Sequence, residues 1–473
     1  MTLKNIIIKK MKIALRCVAL TVAMTLEFSC QKFVDIKRDS TQSFIETATD
    51  CQLVLNNYTD MNTGYPSDGE ASADNYYLSD AGYLANSTTA EDRDLYIWQS
   101  FAVRASASPQ WQTPYKIVYL SNLVLEAIQK ANGVPESLRN DIRGQALFFR
   151  AYSFWQVAQL YTKPYNAISA NQDLGIPLRL NSDINGTSER GSLDQTYSKI
   201  TADLLEAVDL LSPTFTVASR PSKSAAYAML ARVFLSMEDY SKALSNADAA
   251  LKMNSELLDY STLSTTSNTP FARFNKEVVF HSLMNARGVT LNPGSATSNI
   301  AKIDLALVAS YSSNDLRKTL FLKANSGSHA GSFRFTGNYE PVTSPTLFNG
   351  LANDELYLIR AECYARSGDV NNAMKDLNTL LATRWKKGTY VDITAINADE
   401  ALAKILTERR KELLMRGLRW TDLRRLNKDS RFATSLVRTV NGSTYTLPPN
   451  DVRYTLLIPN EVIINSEMSQ NNR

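Results

Sequence analysis

Two stretches of the chain repeat one pattern, in which large side chains on one predicted helix meet small side chains on the next. The first copy has Tyr227, Leu230, Ala231 and Phe234, then Tyr240, then Ala243, Ala247 and Ala250. The second copy has Tyr357, Ala361 and Tyr364, then Gly368, then Ala373, Leu377 and Leu380. Small residues let paired helices approach closely, and stacked pairs bury a continuous core. The pattern therefore predicts an array of helical hairpins.

The same spacing is typical of the tetratricopeptide repeat, and a third unit matches it with an interruption. That unit has Leu147, Ala151 and Phe154 on one helix, a loop over roughly 163–192, and a helix from about Tyr197 to Leu211. We predict a mainly α fold, an interrupted tetratricopeptide-like helical-repeat scaffold with long irregular loops and a few short strands. The predicted repeats occupy about 140–255 and 354–427.

Two long segments, 62–112 and 257–350, interrupt the helical pattern, and the second contains a strand-like piece at 278–280. Segments of this length within a domain are usually functional or disordered, and their aromatic residues argue against disorder. Both are therefore candidate ligand-facing segments. Nearer the C-terminus, a β-hairpin with a type I′ turn is predicted by the order Val437–Val440, Asn441-Gly442, Ser443–Leu447.

The N-terminus carries a basic cluster followed by a ten-residue apolar run, Cys17 to Leu26, that stops at Ser29-Cys30. The run is too short to span a bilayer, which needs about 20 residues, but it suits the core of a secretory signal. Cleavage before Cys30 would leave a thiol for acylation, and several acyl chains anchor a protein durably. We therefore predict a lipoprotein signal peptide over 1–29 and a single lipid-anchored domain over 30–473. The alternative is an ordinary secretory signal followed by a chance cysteine.

The net positive charge of the chain comes from this predicted signal peptide. Removing residues 1–29 takes away five basic groups and one acidic group, so the formal charge falls from +4 to zero. A neutral surface with interspersed charges lacks the positive field on which nucleic-acid binding depends. We therefore exclude nucleic acid as a partner.

Two cysteines, Cys51 and Cys363, remain as thiols once the signal is removed and Cys30 is acylated. So small a number excludes a disulfide framework. The two could pair in an oxidising compartment, but both lie in helical patterns, where a small buried side chain is the commoner role.

The sequence offers no catalytic or metal-binding constellation. His281 and His329 are the only histidines, and neither has a His or Cys neighbour at ligand spacing. A set of four acidic residues lacks the alternating ligands and the central glycine of a calcium-binding loop, and we interpret it as part of a solvated loop. Its members are Asp68, Glu70, Asp74 and Asp80. We predict a binding protein without enzymatic activity, cofactor or metal, because abundant Asp and Glu give no positive signal for an acid–base pair.

Three further groups of segments complete a resemblance to a known family. They are Arg143–Tyr161 with Gly175–Leu178, Glu408–Leu413 with Gly417–Arg425, and Ile458–Glu461 with Asn465, Gln470 and Asn471. In this order, together with the signal and the split repeats, they resemble the SusD/RagB family of outer-membrane nutrient-binding lipoproteins. The resemblance runs nearly end to end. Arg416 departs from it, because the family commonly has an acidic residue there, and a rearranged local ion pair is expected.

The second of these groups also has a structural interpretation. A helix over about 398–416 would place Glu408 and Glu412 on one face beside neighbouring basic groups. Gly417 suits the left-handed position that ends such a helix. We therefore interpret this motif as part of the structural scaffold and not as a binding site.

The resemblance implies a lipoprotein of the outer membrane that faces the cell exterior and acts as the lid of a TonB-dependent β-barrel transporter. Such a protein captures an oligosaccharide or, in some members, a peptide, and passes it inward. A tetratricopeptide scaffold that binds only protein is the alternative, although it would leave the long aromatic loops unexplained.

Carbohydrate recognition needs flat aromatic faces and short polar side chains, and segment 74–98 offers both. The candidate ligand residues are Asp74, Asn75, Tyr76, Tyr77, Tyr83, Tyr96 and Trp98, with Arg334 and Tyr339 in a second loop. The alternative is that these aromatic residues anchor the loops to the helical body. Trp111 and Tyr115 begin a helical pattern and are predicted to pack in the core.

Replacing Cys30 by alanine is expected to release the protein from the membrane fraction, because acyl chains and not the neutral surface supply the attachment. Fractionation of cells followed by lipid flotation measures this, with Cys51→Ala as the matched control. A Cys30→Ala protein that still floats with lipid would contradict the lipoprotein prediction.

Overall fold

The computed structural model describes residues 45–213, 217–285, 291–341 and 346–473. The predicted signal peptide and Cys30 lie outside the described residues. Within the described part of the chain, no helix is long and apolar enough to cross a membrane. Glu46–Arg473 forms one compact unit.

Helices dominate this unit, which confirms the predicted mainly α fold. Five short helices precede the array: α1 (Ala48–Leu55), α2 (Tyr58–Met61), α3 (Asp68–Ser72), α4 (Asp80–Tyr83) and α5 (Ala90–Tyr96). The first part of the array is α6 (Gln112–Lys130), α7 (Glu136–Tyr161), α8 (Leu193–Leu210), α9 (Lys223–Ser236) and α10 (Tyr240–Met253). The remaining helices are α11 (Leu305–Ala309), α12 (Arg317–Leu320), α13 (Asn353–Arg366), α14 (Val370–Ala382), α15 (Ala398–Glu412), α16 (Arg419–Leu426) and α17 (Asn460–Ser466).

The long helices pack in chain order, from α6 on α7 through α8, α9 and α10 to α13, α14 and α15. The core lies between them, and the middle of the array is closely packed because alanines 225, 226, 228 and 231 of α9 are all fully buried. Alanines 243, 247 and 250 of α10 are equally enclosed. Burial of the small residues at these positions is what the repeat pattern predicts.

The two predicted repeats are the hairpins α9–α10 and α13–α14, and both turns have the same geometry. Gly368 has φ +86° in the second turn, and Glu238 has φ +64° at the matching place in the first. Asp239 and Asp369 then cap the following helices by accepting hydrogen bonds from the backbone N–H of Lys242 and Asn372. The left-handed residue and the aspartate cap together fold the second helix back on the first.

Short strands join the irregular segments in antiparallel pairs. The pairs are β1 (Tyr76–Tyr77) with β6 (Lys302–Ile303), β2 (Leu174–Pro177) with β3 (Arg190–Ser192), and β4 (Val278–Phe280) with β10 (Leu351–Ala352). The others are β5 (Leu283–Asn285) with β9 (Thr346–Phe348), β7 (Leu322–Ala324) with β8 (Phe333–Phe335), and β11 (Leu436–Val440) with β12 (Ser443–Leu447). The predicted C-terminal hairpin is confirmed, since Asn441 and Gly442 both have positive φ.

Two helix boundaries differ from the prediction. The helix after the interrupted loop begins at Leu193, because Ser192 and Gln195 form a capping box at its start. Helix α15 ends at Glu412 and not near residue 416. Met415 and Gly417 both have positive φ, so the chain turns twice before α16.

Cys51 and Cys363 are both buried, which confirms that they pack in the core, and both are free thiols. Burial raises the pKa of the Cys51 thiol to about 11. It also raises the pKa of Cys363 above its usual range. Both thiols therefore remain protonated at neutral pH and behave as small apolar groups.

Candidate functional site

Three of the aromatic residues proposed as ligand contacts enclose an arginine instead. The guanidinium carbon of Arg438, on β11, lies 3.8 Å from the ring centroid of Tyr96, 4.4 Å from that of Trp98 and 5.5 Å from that of Tyr76. The exposed fraction of each ring is 3% or less. Arg438 also donates to the backbone carbonyls of Tyr96 and Ala73. Burial at these positions favours the loop-anchor interpretation.

The polar candidates in the same segment are also engaged within the protein. Asp74 accepts two hydrogen bonds from Arg419, at 2.7 and 2.9 Å, and Arg410 lies 3.2 Å from it. Although burial alone would raise the pKa of Asp74, the Arg419 guanidinium holds it well below its usual range. The Asn75 amide donates to Glu70 at 2.7 Å. The two arginines fasten the loop to α15 and to the start of α16, while the Asn75 contact is internal to the loop.

Two of the four acidic residues interpreted as a solvated loop, Asp68 and Glu70, are buried, Asp74 is half-buried and Asp80 is exposed, so the interpretation is wrong for the first two. Asp68 is 1% exposed and forms a bidentate ion pair with Arg104 at 2.8 and 3.0 Å. Glu70 is fully enclosed and accepts a hydrogen bond from the backbone N–H of Gly417 at 2.9 Å. Burial raises the pKa of Glu70 to about 7. Arg104 therefore compensates the charge of Asp68, whereas Glu70 is held by the Asn75 amide and the Gly417 backbone N–H.

The second candidate loop is enclosed as well. Tyr339 is fully buried, its hydroxyl donates to Glu277, and the Arg416 guanidinium lies 4.1 Å from its ring centroid. Arg416 in turn forms an ion pair with Asp354 at 2.7 Å. Arg334 is 9% exposed and donates to the Ala324 carbonyl at 2.7 Å. Of the nine candidate residues in the two loops, Tyr77 and Tyr83 retain half-buried aromatic rings.

Truncating Trp98 to alanine is expected to lower the free energy of unfolding by about 3–5 kcal/mol, because it empties a buried ring site beside Arg438. Urea denaturation measures this, and the affinity for the ligand should stay unchanged. Phe101→Ala is the matched control, since this ring is 62% exposed three residues away. If the Trp98→Ala protein keeps its stability but no longer binds the ligand, Trp98 is part of the binding site.

A different aromatic group lines an open groove of about 480 Å³. Trp111, Tyr115 and Tyr119 follow one another at intervals of four residues, so they form one stripe along the start of α6. The Trp111 and Tyr115 rings are stacked, with centroids 5.0 Å apart and an interplanar angle of 29°. Exposure rises along the stripe, from 7% at Trp111 to 37% at Tyr119.

The loop after β2 forms the second wall of the groove. The Tyr115 hydroxyl donates to the Pro177 carbonyl at 2.8 Å, and the Asn122 amide donates to the Arg179 and Asn181 carbonyls at 3.0 Å. Arg179 also donates to the Ser188 hydroxyl at 3.0 Å, which closes the loop on itself. Helix α6 therefore carries the aromatic stripe and also fixes the wall opposite it.

The third wall is α17, which is joined to the loop before α6. The Glu461 carboxylate accepts hydrogen bonds from the Ala107 backbone N–H at 2.8 Å and from the Ser106 hydroxyl at 3.3 Å. The groove is also lined by short or uncharged polar side chains, and these are Gln112, Asn181, Asp183, Asn465 and Ser466. Flat rings flanked by such groups can stack on the apolar face of a sugar and bond its hydroxyls.

Trp111 and Tyr115 were predicted to pack in the core, and they also line the groove. Trp111 does pack, since its ring meets Tyr161 edge-on at 5.2 Å. The signal that could have identified the stripe was Tyr119, the third aromatic residue on the same helical face. The walls around 177–188 and 461–468 could not be assigned from spacing, because they come from distant parts of the chain.

Comparison with known proteins gives consistent results over most of the chain. The sequence profile of a SusD-like family, described as starch-binding and associating with the outer membrane, matches residues 32–235, and that of the SusD family matches residues 354–468. A SusD-like protein of Formosa agariphila is 36% identical over 95 residues, which is 19% of this chain and 18% of that relative's length.

Solved structures share the fold at low identity. A SusD superfamily protein from Bacteroides thetaiotaomicron has a TM-score of 0.74 and 20% identity, covering 90% of this chain and 100% of its own. Surface glycan-binding protein A from Bacteroides uniformis has a TM-score of 0.71 and 17% identity, with the same coverage. A laminarin-binding SusD-like protein has a TM-score of 0.65 and 16% identity over 90% of this chain and 99% of its own.

The two profile matches, the mainly helical fold and the structural likenesses agree. The chain belongs to the SusD/RagB family.

Proposed function

We propose that this protein binds an oligosaccharide at the cell surface through the groove beside α6. The observation that carries the proposal is the stripe of Trp111, Tyr115 and Tyr119, which lines the groove together with polar side chains. The volume of about 480 Å³ lies in the range of small-ligand sites. Relatives described as binding glycan or laminarin share the fold, which supports the same ligand class here.

The proposed role is binding and transfer, without catalysis. Glu461, a carboxylate on the groove, accepts two hydrogen bonds from the loop before α6 at its Oε2 atom, so this oxygen serves the architecture. The expected position of the protein is the outer membrane, facing the cell exterior and anchored through acylated Cys30. The description of the matching family as associating with the outer membrane supports this position.

Replacing Tyr119 by alanine is expected to weaken oligosaccharide binding by about 1–2 kcal/mol, or about five- to thirtyfold, because one stacking surface is lost. Stability should change by less than about 0.5 kcal/mol, since the ring is 37% exposed. Isothermal titration with laminarin and soluble starch fragments measures the affinity.

Phe101→Ala is the control, because it also removes an exposed ring but lies outside the groove. Equal affinity of the Tyr119→Ala and unmodified proteins for a glycan that they both bind would place the site elsewhere. Binding of a peptide library with no response to any glycan would favour a peptide-binding member of the family.

We also propose that the protein is the lid of a TonB-dependent β-barrel transporter, to which it passes its ligand. The helical body would contact the barrel, while the groove faces the ligand. The native protein should then co-purify in mild detergent with a large outer-membrane β-barrel, through an interface well above about 1,000 Å². Recovery of monomer alone from several detergents would contradict this role.

A further inference from the structure

The loop after β2 brings an aliphatic side chain to the groove beside α6. Ile184 lines this groove, and it is 76% exposed. The aromatic stripe that lines the same groove belongs to α6, a separate element of the fold. A ligand in the groove can therefore contact apolar groups from two independent parts of the chain.

The backbone around Ile184 is held without any help from its side chain. Before it, Ser182 donates to the Glu126 carboxylate from its backbone N–H at 2.7 Å and from its hydroxyl at 2.6 Å. After it, the Gly186 carbonyl accepts a hydrogen bond from Arg179. The loop should therefore keep its shape when the isoleucine is replaced.

The isoleucine contributes little to the packing of the free protein, because most of its surface is in contact with water. A ligand that fills the groove would cover this surface. Removal of apolar surface from water is favourable, so covering Ile184 would add to the affinity.

The charged side chains of the groove are balanced in number. Two are basic and two are acidic, and these are Lys116, Arg179, Asp183 and Glu461. Lys116 forms an ion pair with Asp60 at 2.6 Å, and Arg179 donates to carbonyls of its own loop. One oxygen of Glu461 holds the loop before α6. This balance favours a ligand without net charge.

We propose that the groove selects neutral glycans of β-linked glucose. This assignment rests on the oligosaccharide site proposed above and names its substrate class. All ring hydroxyls of β-linked glucose are equatorial and lie near the plane of the ring, so both of its faces present C–H groups. One face can stack on the aromatic stripe while Ile184 covers the other. Polar side chains that line the groove, among them Gln112, Asn181 and Asn465, can bond the hydroxyls at the edge of the ring.

Sugars with an axial hydroxyl fit this arrangement less well. Mannose carries one at C2 and galactose carries one at C4, and each projects from a face of the ring. Against an aromatic ring or an isoleucine, such a hydroxyl loses its water without gaining a hydrogen-bond partner. β-linked mannose should therefore bind at least about tenfold more weakly than β-linked glucose.

The test is isothermal titration of the mature protein with cellotetraose, laminaritetraose and β-1,4-mannotetraose. Cellotetraose and mannotetraose share length and linkage and differ in the hydroxyl at C2, so they form a matched pair. Laminaritetraose has the same equatorial glucose rings in another linkage. The better of the two glucose tetrasaccharides should bind at least about tenfold more tightly than mannotetraose. Absence of binding by both glucose tetrasaccharides, or equal binding of mannotetraose, would overturn the assignment.

Ile184→Ser tests the aliphatic contact. Affinity for the glucose tetrasaccharide should fall about five- to tenfold, because the apolar cover of one ring face is lost. Affinity for mannotetraose should change less, so the preference for glucose narrows. Ile168→Ser is the matched control, since this isoleucine is 90% exposed and lies outside the groove. Melting temperatures of both variants, measured without ligand, should equal that of the unmodified protein.

Failure of this assignment can be distinguished from failure of the oligosaccharide site itself. If Tyr119→Ala weakens glycan binding and Ile184→Ser does not, the groove is the site and the contact with Ile184 is refuted. Tighter binding of soluble starch fragments than of either β-linked glucose tetrasaccharide would keep the site and overturn its selectivity. Unchanged affinity in both variants for a glycan that the protein binds would overturn both proposals.

Discussion

Glu412 holds two buried arginines at once, and this bridge joins the helical array to the irregular segments. One of its oxygens accepts from Arg384 at 2.7 Å and the other from Arg317 at 2.9 Å, with all three side chains fully buried. Arg384 follows α14 and also reaches Glu277 at 3.0 Å, just before β4. Buried charges are tolerated only while each is paired, so loss of one member would expose its partners to the full cost of desolvation. The long loops are therefore parts of the core.

This bridge shows how far local spacing can predict the structure. Glu408 and Glu412 were predicted to lie beside basic groups of their own helix, and Glu408 does pair with Lys411 at 2.8 Å. The partners of Glu412, however, are 28 and 95 residues away in sequence. The hairpins α9–α10 and α13–α14 were predictable because their packing repeats with the helical period and their turns carry aspartate caps. An ion pair between distant segments has no period, and one sequence contains no sign of it.

The contrast between periodic packing and contacts of distant segments also explains which parts of the candidate site could be predicted from the sequence. Tyr76, Tyr96 and Trp98 are residues of the type that stack on sugar rings. They enclose the guanidinium of Arg438, which lies more than 300 residues later in the sequence. An aromatic ring on a loop is equally suited to either role, so composition could not separate them. The stripe on α6 was detectable in principle, because Trp111, Tyr115 and Tyr119 share a helical face. Its opposing walls depend on the tertiary fold.

The C-terminal segment lines two separate concave surfaces of the protein. Glu461 and Asn465 of α17 line the groove beside α6, while Asn471 and Asn472 line a second cavity, of about 360 Å³. Between them, Gln470 bonds both the N–H and the carbonyl of Ile458 at 2.8 Å. Such a clamp makes the end of the chain behave as a fixed wall, although it carries little regular structure. The motif Ile458–Glu461 with Gln470 and Asn471, part of the family resemblance, is thus explained by architecture, because it holds the C-terminal segment against the body of the protein.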